Sequence, residues 1–406
     1  MSDSLPLLAA LLALLIGLAA GKAWERYKLK EGRWVDRRKT RESPHFIQGL
    51  NLLVTQQLDL AIDELGQAAR VDPDAVEIQM ILGNLYREKG QVGRAVQVHQ
   101  QLLQRPRLTR LEHAHALLSL GLDFKRGGFV DRALEAFNEV LRLDPSNAHA
   151  LLNLEKLHED QHQWDQAYAV RQRLAALVDD DHQEGHRSIL AFLENELGVQ
   201  ALRKEAWDDA ERRFHAAIDL DPRTVPAYLN LGDLRLARGD SAGALDVWEQ
   251  VIQVAPERAY LAFDRLAAGY PAAGAPARFH TLCRRLIEAT PQDWRARLAL
   301  ANDLAAKGSR DAALELLFEA LAFNPHSLKL HGAIWRVLRQ LELPVPLVDR
   351  YVDTSDHAVF YQDPHICLRC RYRSDELLWQ CPHCHEWNTF VEDRITPAKE
   401  REEQAS

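Results

Sequence analysis

Pairs of small residues recur at a fixed spacing along most of this 406-residue chain, and they constrain its fold more than any other feature. Each pair is a glycine followed twelve residues later by an alanine. The pairs are Gly49 and Ala61, Gly83 and Ala95, Gly121 and Ala133, Gly198 and Ala210, and Gly232 and Ala244. These alanines, together with Ala167, lie 34, 38, 34, 43 and 34 residues apart. A register kept over this length indicates a stack of similar units.

The clearest unit runs from Val225 to Pro256 and follows the pattern of the tetratricopeptide repeat, a hairpin of two helices. Small residues let the two helices approach closely, and a proline ends the second helix. One hairpin cannot bury its own apolar face, so it needs neighbours on both sides. We therefore expect an all-α fold, a superhelical solenoid of tetratricopeptide repeats. The residues that carry the pattern are Tyr228, Leu231, Gly232, Ala244, Trp248 and Pro256.

The solenoid is predicted to occupy residues 42–355 as about nine helix pairs. Eight repeats would begin near residues 42, 76, 114, 148, 191, 225, 259 and 294, and a ninth pair would run from Leu328 to about Tyr351. The fourth repeat has Glu155 in the glycine position, and the seventh has Arg278 in the alanine position. Extra residues before the fifth repeat include Asp179 to Asp181, which form either a bend between two sub-stacks or a solvated loop.

The first helices of the repeats would line a concave face that could hold a peptide or a protein surface. A solvated helix face would show the same residues, so the pattern favours neither interpretation at any one position. The side chains predicted on this face are Glu77, Met80, Asn84, Arg87, Leu118, Leu122, Lys125, Arg126, Leu229, Asp233 and Leu236.

The N-terminal residues 1–24 are predicted to form a transmembrane anchor, because no charged residue occurs from Leu5 to Gly21. A basic juxtamembrane linker would follow at residues 25–41. Nine Lys or Arg against three acids lie between Lys22 and Arg41, which places the bulk of the chain on the cytoplasmic side of a single-pass span. A cleaved signal peptide would begin with a basic region, and this chain has only Asp3 as a charged side chain before the span.

Two enzyme or binding classes are disfavoured by composition and motif. The net charge of −9 at pH 7 argues against a nucleic-acid partner.

The run from His158 to His162, with Glu159 between them, matches the H-E-x-x-H pattern of zinc proteases. That chemistry needs both histidines on one continuous helix, whereas the repeat register places His162 in the turn between two helices. A metalloprotease is therefore a hypothesis that the register disfavours.

Four of the five cysteines fall within 18 residues near the C-terminus, as two C-x-x-C motifs separated by ten residues. Two such knuckles can offer four thiolates to one tetrahedral metal. We predict a small rubredoxin-like zinc ribbon at residues 363–393, with zinc expected and iron open, followed by a disordered tail at 394–406. Trp379 and Trp387 would pack over the site or against the solenoid. The predicted metal ligands are Cys367, Cys370, Cys381 and Cys384, with His365, His383 and His385 as weaker alternatives.

With an anchor, about nine repeats and a four-cysteine module in this order, the chain resembles the lipopolysaccharide assembly protein B family of Gram-negative bacteria. The local match is Cys367-x-x-Cys370 followed by Leu378-Trp379-Gln380-Cys381-Pro382-x-Cys384-x-x-Trp387-x-Thr389. One departure is Arg371, at a position where rubredoxin-type knuckles usually have glycine. This difference puts the geometry of the first knuckle in question.

The resemblance implies a non-enzymatic adaptor at the cytoplasmic face of the inner membrane, with the metal domain packed against the solenoid. It implies that the chain binds the committed-step deacetylase of lipid A synthesis and a membrane-bound ATP-dependent protease, so that the deacetylase is degraded under regulation. The family is also associated with lipopolysaccharide export components. The alternatives are a general protein-interaction scaffold for envelope assembly and an iron-containing redox protein. The oligomeric state stays open.

Overall fold

Paired helices form the repeats in the computed structural model, which describes residues 43–178, 183–324, 327–340 and 365–393. The fold divides into two compact units, a first that ends at Leu157 and a second that begins at His158. The helices are α1 (Pro44–Val54), α2 (Leu58–Val71), α3 (Val76–Glu88), α4 (Val92–Leu103), α5 (Arg110–Arg126), α6 (Val130–Leu143), α7 (Ala148–Asp160), α8 (Trp164–Ala175), α9 (Glu184–Arg203), α10 (Trp207–Leu220), α11 (Val225–Ala237), α12 (Ser241–Val254), α13 (Phe263–Ala272), α14 (Ala277–Ala289), α15 (Trp294–Ala306), α16 (Arg310–Phe323) and α17 (Leu328–Gln340), with a 3₁₀ helix at Pro256–Ala262.

Each glycine of the register lies under the side chain sixteen residues further along, on the second helix of its hairpin. A Cβ at Gly121 would come 2.6 Å from Cε1 of Phe137, and a Cβ at Gly198 would come 2.5 Å from Cε1 of Phe214. Both distances are shorter than side chains tolerate, so only glycine fits without a shift of the partner. The register alanines Ala61, Ala95, Ala133, Ala167, Ala210 and Ala244 are fully buried. The predicted pairing of the helices is confirmed.

Two repeats begin earlier than the sequence predicted. Helix α5 begins at Arg110 rather than near 114, because Thr109 and Glu112 form a reciprocal capping box at its start. Helix α9 begins at Glu184 rather than near 191 and has 20 residues, so it absorbs most of the extra residues before the fifth repeat. The acidic residues Asp179 to Asp181 lie outside the described residues.

The side chains that the sequence predicts on the concave face are only partly available to a partner, because several of them contact neighbouring repeats. In the first unit, Arg87 donates to Oδ1 of the buried Asp123 at 2.8 Å, and Nδ1 of His99 lies 2.6 Å from the other oxygen of Asp123. In the second unit, Leu229 is buried, and Asp233 accepts two hydrogen bonds from Arg265 at 2.7 and 2.8 Å. These residues hold neighbouring repeats together, which the sequence prediction did not anticipate.

The terminal predictions fall mostly outside the described residues. This holds for the anchor at 1–24, the linker at 25–41, the second helix of the ninth pair and the tail at 394–406. Helix α17 forms the first helix of the predicted ninth pair. Within the described part of the chain, none of the helices combines the length and the apolar character needed to cross a bilayer.

The C-terminal module is a three-stranded antiparallel sheet in the second unit. Its strands are β1 (His365–Cys367), β2 (Arg373–Ser374) and β3 (Phe390–Glu392), in the order β2-β1-β3. His365 pairs with both Ser374 and Glu392, and Cys367 pairs with Phe390. Because β1 pairs with β3, the two ends of residues 365–392 lie next to each other. The two C-x-x-C turns therefore lie close together.

We expect Gly121→Ala to lower the free energy of unfolding by about 1–3 kcal/mol, because the added methyl group overpacks the contact with Phe137. Gly66→Ala is the matched control, since Gly66 lies in α2 with no atom within 4 Å of an added Cβ. The control should stabilise the chain by roughly 0.5–1 kcal/mol. Urea denaturation followed by circular dichroism measures both. Equal effects of the two substitutions would contradict the close-contact explanation.

Candidate metal centre

Two similar turns build the cysteine site. In the first knuckle the backbone N–H of Arg371 donates to the carbonyl of Cys367 at 2.9 Å, and in the second the N–H of His385 donates to the carbonyl of Cys381 at 2.8 Å. Arg371 and His385 both adopt positive φ angles, 64° and 57°. Arg371 thus takes the left-handed conformation that glycine would adopt freely. Its side chain does not prevent the turn, which answers the question raised by the missing glycine.

The structure brings the four predicted cysteine sulfurs together, all within 4.8 Å of one another. Sγ of Cys367 lies 3.7 Å from Sγ of Cys384, and Sγ of Cys370 lies 3.5 Å from Sγ of Cys381. Four thiolates around zinc at about 2.3 Å in a tetrahedron would have sulfurs about 3.8 Å apart, so the donor set fits such an ion. A four-cysteine site of the zinc-ribbon or rubredoxin type is present, and zinc and iron suit it equally in geometry.

The three neighbouring histidines lie outside the sulfur cluster. His365 is buried in β1, the ring of His383 stacks against that of Tyr372, and Nδ1 of His385 contacts the carboxylate of Asp160. Among the described residues, the four cysteines are the one group of three or more metal-binding side chains close enough to share an ion.

The thiols of Cys367 and Cys384 differ in acidity because their surroundings differ. Burial raises the pKa of the Cys367 thiol, but hydrogen bonds from the Thr389 hydroxyl and from backbone N–H groups outweigh burial and lower this pKa to about 6. Burial, together with the neighbouring sulfurs, raises the pKa of the Cys384 thiol to about 12. A thiolate therefore forms at Cys367 before one forms at Cys384. A bound cation would favour loss of the other protons, so metal binding depends on pH.

The ribbon is held on the second unit first of all by a buried carboxylate. Glu159 lies in the last turn of α7 and is 1% exposed. Its Oε1 accepts a hydrogen bond from Nε1 of Trp387 at 3.1 Å, and its Oε2 accepts one from Nε2 of Gln380 at 2.6 Å. A carboxylate at a helix C-terminus opposes the helix dipole, so these donors satisfy a charge that is otherwise unfavourable there.

The same contacts explain the H-E-x-x-H pattern without catalysis. His162 lies beyond the end of α7 with a positive φ of 55°, as the repeat register predicted. Nδ1 of His158 lies 2.8 Å from Oε1 of Gln163. Both oxygens of Glu159 are already accepting hydrogen bonds from the ribbon. The two histidines do not share a helix, and the glutamate is not available as a general base.

Aromatic stacking forms the second part of the docking contact. The ring of Trp387 stacks on that of Phe192 in α9, with centroids 5.3 Å apart and planes 19° apart. The Trp164 ring lies 6.3 Å from Trp387, and the Trp379 ring lies 6.1 Å from Phe192. Arg258 also lies over the Trp379 ring at 5.4 Å. Of the two sequence alternatives for these tryptophans, the structure supports packing against the repeats.

A partly buried ion-pair cluster fixes the other end of the ribbon. Glu392 in β3 accepts hydrogen bonds from Arg295 in α15 at 2.5 Å and from Lys329 in α17 at 3.1 Å. Burial raises the pKa of Glu392, but the two cations outweigh burial and lower it overall. Arg295 also lies 4.6 Å from the Tyr260 ring centroid. The ribbon therefore joins the first helices of repeats that are far apart in sequence, a feature that the spacing of the cysteines alone did not indicate.

The repeats and the cysteine site both match known families. Residues 48–107, 118–182, 195–259 and 229–293 match the tetratricopeptide repeat family, and residues 365–392 match the rubredoxin metal binding domain. Because the repeat matches cover more than half of the sequence, the chain belongs to the tetratricopeptide repeat family. It is a mostly helical repeat protein with a four-cysteine ribbon after the repeats.

The resemblance to the lipopolysaccharide assembly protein B family is confirmed by relatives that align over nearly the whole chain. Lipopolysaccharide assembly protein B of Escherichia coli strain K12 is 26% identical over 383 residues, which are 94% of this chain and 97% of that protein. The protein of the same name from Haemophilus influenzae is 25% identical over 398 residues, with the same coverage. A tetratricopeptide-repeat structure from Cytophaga hutchinsonii covers 71% of this chain and 99% of its own, at 13% identity and a TM-score of 0.41.

We expect Glu392→Gln to lower the stability of the docked ribbon by about 2 kcal/mol, because Arg295 and Lys329 lose the carboxylate that they share and Arg295 keeps only the longer pair with Asp293. Asp393→Asn is the matched control, since Asp393 pairs with an Arg373 side chain that is 69% exposed. The control should cost less than about 1 kcal/mol. Hydrogen exchange of the β1 and β3 amides measures the two losses. If both variants exchange at the same rate, the ion-pair cluster does not hold the ribbon.

Removing the metal with a chelator should unfold the ribbon and release Trp387 from Phe192 while the repeats stay helical. The reason is that a segment of this size has too small a hydrophobic core to fold alone. Tryptophan fluorescence should shift to longer wavelength with little change in helical circular dichroism. A Cys367→Ser and Cys381→Ser double variant should show the shifted emission without chelator. Unchanged emission in both samples would contradict this dependence.

Proposed function

We propose that this chain is a non-enzymatic adaptor that regulates lipopolysaccharide synthesis by binding other proteins. In this proposal it presents the committed-step deacetylase of lipid A synthesis to a membrane-bound ATP-dependent protease and so promotes regulated proteolysis of the deacetylase. Export components are further candidate partners. The observation that carries the proposal is the alignment with proteins named lipopolysaccharide assembly protein B over 94% of the chain.

The architecture of the second unit supports an adaptor rather than an enzyme. Repeat hairpins bind partners through extended surfaces, and here the ribbon lies across the first helices of several repeats. Glu159 and Phe192 are covered by the ribbon, so a partner would meet a surface made of repeats and ribbon together. This composite surface would depend on the metal, because the ribbon depends on it.

We propose that Cys367, Cys370, Cys381 and Cys384 hold one zinc ion with a structural role. Four protein ligands leave no open coordination position, so such an ion stabilises the fold and performs no catalysis. An iron-containing redox protein is the alternative for the same four sulfurs. Elemental analysis of the purified chain should find about one zinc per chain and no visible absorbance, whereas a coloured protein containing iron would overturn the zinc assignment.

The domain plan proposed from the sequence places these parts at the inner membrane. Residues 1–24 would anchor the chain, residues 25–41 would contact anionic lipid head groups, and the solenoid at 42–355 and ribbon at 363–393 would face the cytoplasm, followed by a disordered tail at 394–406. Tethering confines the repeats near membrane-bound partners and so raises the effective concentration of the repeats beside those partners. A general scaffold for envelope assembly is the alternative, because an anchored scaffold would have the same domain plan.

The adaptor role can be tested by measuring the half-life of the deacetylase in cells that lack this chain. We expect a longer half-life in those cells, and its restoration by the wild-type chain. Glu159→Ala should fail to restore it, because Trp387 and Gln380 lose their acceptor and the composite surface is disturbed. The failure should coincide with loss of the deacetylase and the protease from affinity pull-downs of the intact, membrane-bound chain.

Asp375→Asn is the control for this experiment, because Asp375 is an exposed acid on the same ribbon. It should restore the half-life as the wild-type chain does. If the deacetylase half-life is the same with and without the chain, the proteolysis role is wrong. If the half-life changes but neither partner is recovered with the chain, a general scaffold is the better interpretation.

A further inference from the structure

The two knuckles of the ribbon are alike in backbone and differ in what their side chains contact. In each, the residue after the second cysteine has a positive φ angle, 64° at Arg371 and 57° at His385. His385 uses its side chain to contact Asp160 at the end of α7. Arg371 is exposed and has no ion-pair or hydrogen-bond partner for its side chain among the described residues. The second knuckle is thus docked on an acidic helix end, whereas the first has no such contact.

The exposed side of the first knuckle combines cationic and apolar groups. Arg369 and Arg371 flank Cys370, and both are exposed without an ion-pair partner in the described parts of the chain. Leu368 is 61% exposed and Tyr372 is 41% exposed, so two large apolar side chains lie at the surface next to these arginines. Arginine, tyrosine and exposed apolar groups together are typical of protein-binding hot spots. We call Leu368, Arg369, Arg371, Tyr372 and His383 the knuckle surface.

The knuckle surface is held in one arrangement by the fold around it. The Tyr372 ring stacks with that of His383 at 6.4 Å and meets the Phe390 ring edge-on at 6.4 Å. The N–H of Leu368 donates to the carbonyl of Thr389, and the N–H of Cys367 donates to the carbonyl of Tyr372, both at 2.9 Å. A surface that is already ordered loses little conformational entropy on binding, so it favours a specific partner.

The backbone at Arg371 gives a second reason to assign a role to this side chain. A non-glycine residue with φ near +64° is strained, and glycine would remove that strain. Such strain persists where the surrounding structure fixes the backbone, and it clusters at binding and catalytic sites. At the equivalent position of the second knuckle the side chain makes a contact, since His385 reaches Asp160.

We propose that the knuckle surface is a docking site for an acidic segment of a partner protein, in which neighbouring carboxylates lie next to an apolar side chain. On its docked side the ribbon already binds two neighbouring carboxylates, Glu159 through Gln380 and Trp387 and Asp160 through His385. Arg369 and Arg371 would bind the carboxylates, and Leu368 and Tyr372 would contact the apolar side chain. The inference goes beyond the adaptor role proposed above, since it concerns the solvent-exposed side of the ribbon.

A protein segment fits this surface better than an anionic membrane does. A bilayer attracts charge summed over a broad surface, and residues 365–393 carry three arginines against five acidic residues. Asp375 and Glu376, both exposed in the ribbon, would be repelled by anionic head groups. The attraction at the knuckle surface is therefore local, as it is in a contact between two proteins.

The test uses the full-length chain in detergent with its metal bound and a display library of random short peptides. We expect selection for peptides that combine acidic and apolar residues. Selected peptides should bind an Arg369→Gln and Arg371→Gly double variant about tenfold more weakly or worse by fluorescence anisotropy. Arg371→Gly alone should keep or raise the melting temperature of the ribbon, because it removes the positive-φ strain. Lost binding then cannot be ascribed to misfolding.

Arg142→Gln is the matched control, because Arg142 is an exposed arginine in α6 with only a surface ion pair. It should leave peptide binding unchanged.

Three results would overturn the proposal. Selected peptides could lack acidic residues or bind the double variant as well as the wild type. Vesicles of phosphatidylcholine and phosphatidylglycerol could bind the chain through these arginines while no peptide is selected. The double variant could lose metal to a chelator more readily with peptide binding unaffected, which would mean that the arginines only balance the charge of the sulfurs.

Discussion

The closest approach of two helices within each hairpin controls the rest of this fold. A glycine on the first helix leaves room for a large side chain on the second, as Gly121 does for Phe137 and Gly198 does for Phe214. This contact recurs in the five hairpins that keep the glycine, whereas the fourth repeat has Glu155 in that position. In the second unit the first helices of four repeats carry Glu159, Phe192, Arg295 and Lys329, the residues on which the ribbon rests. Stacking of the hairpins therefore supplies the surface that a distant segment covers.

The ribbon and the repeats of the second unit stabilise each other through the contacts between them. Cys367, Cys381 and Phe390 form a core too small for an independent domain. Trp387 extends that core by stacking on Phe192, which in turn is shielded from water. Glu159 receives two hydrogen bonds that its own helix end cannot supply. The metal would therefore stabilise more than the short segment that binds it.

Features that depend on short sequence distances could be predicted, and features that depend on long ones could not. The glycine and alanine register and the C-x-x-C spacing are local, so they indicated the hairpins and the clustered sulfurs. The role of Glu159 depends on residues 221 and 228 positions away, and no local pattern reports such a pairing. The earlier start of α9 had a signal that was available. Ile189 to Leu193 are all apolar, which indicates a helix covered on more than one side.

The long separation between Glu159 and its donors also has a consequence for biosynthesis. A ribosome adds about 5–20 residues per second, so Glu159 emerges on the order of ten to forty seconds before Trp387 is made. During that interval the Phe192 ring lacks its aromatic cover, and the carboxylate can only be hydrated by water. The nascent second unit therefore exposes this surface until the last part of the chain arrives, and transiently exposed apolar surface is what chaperones protect.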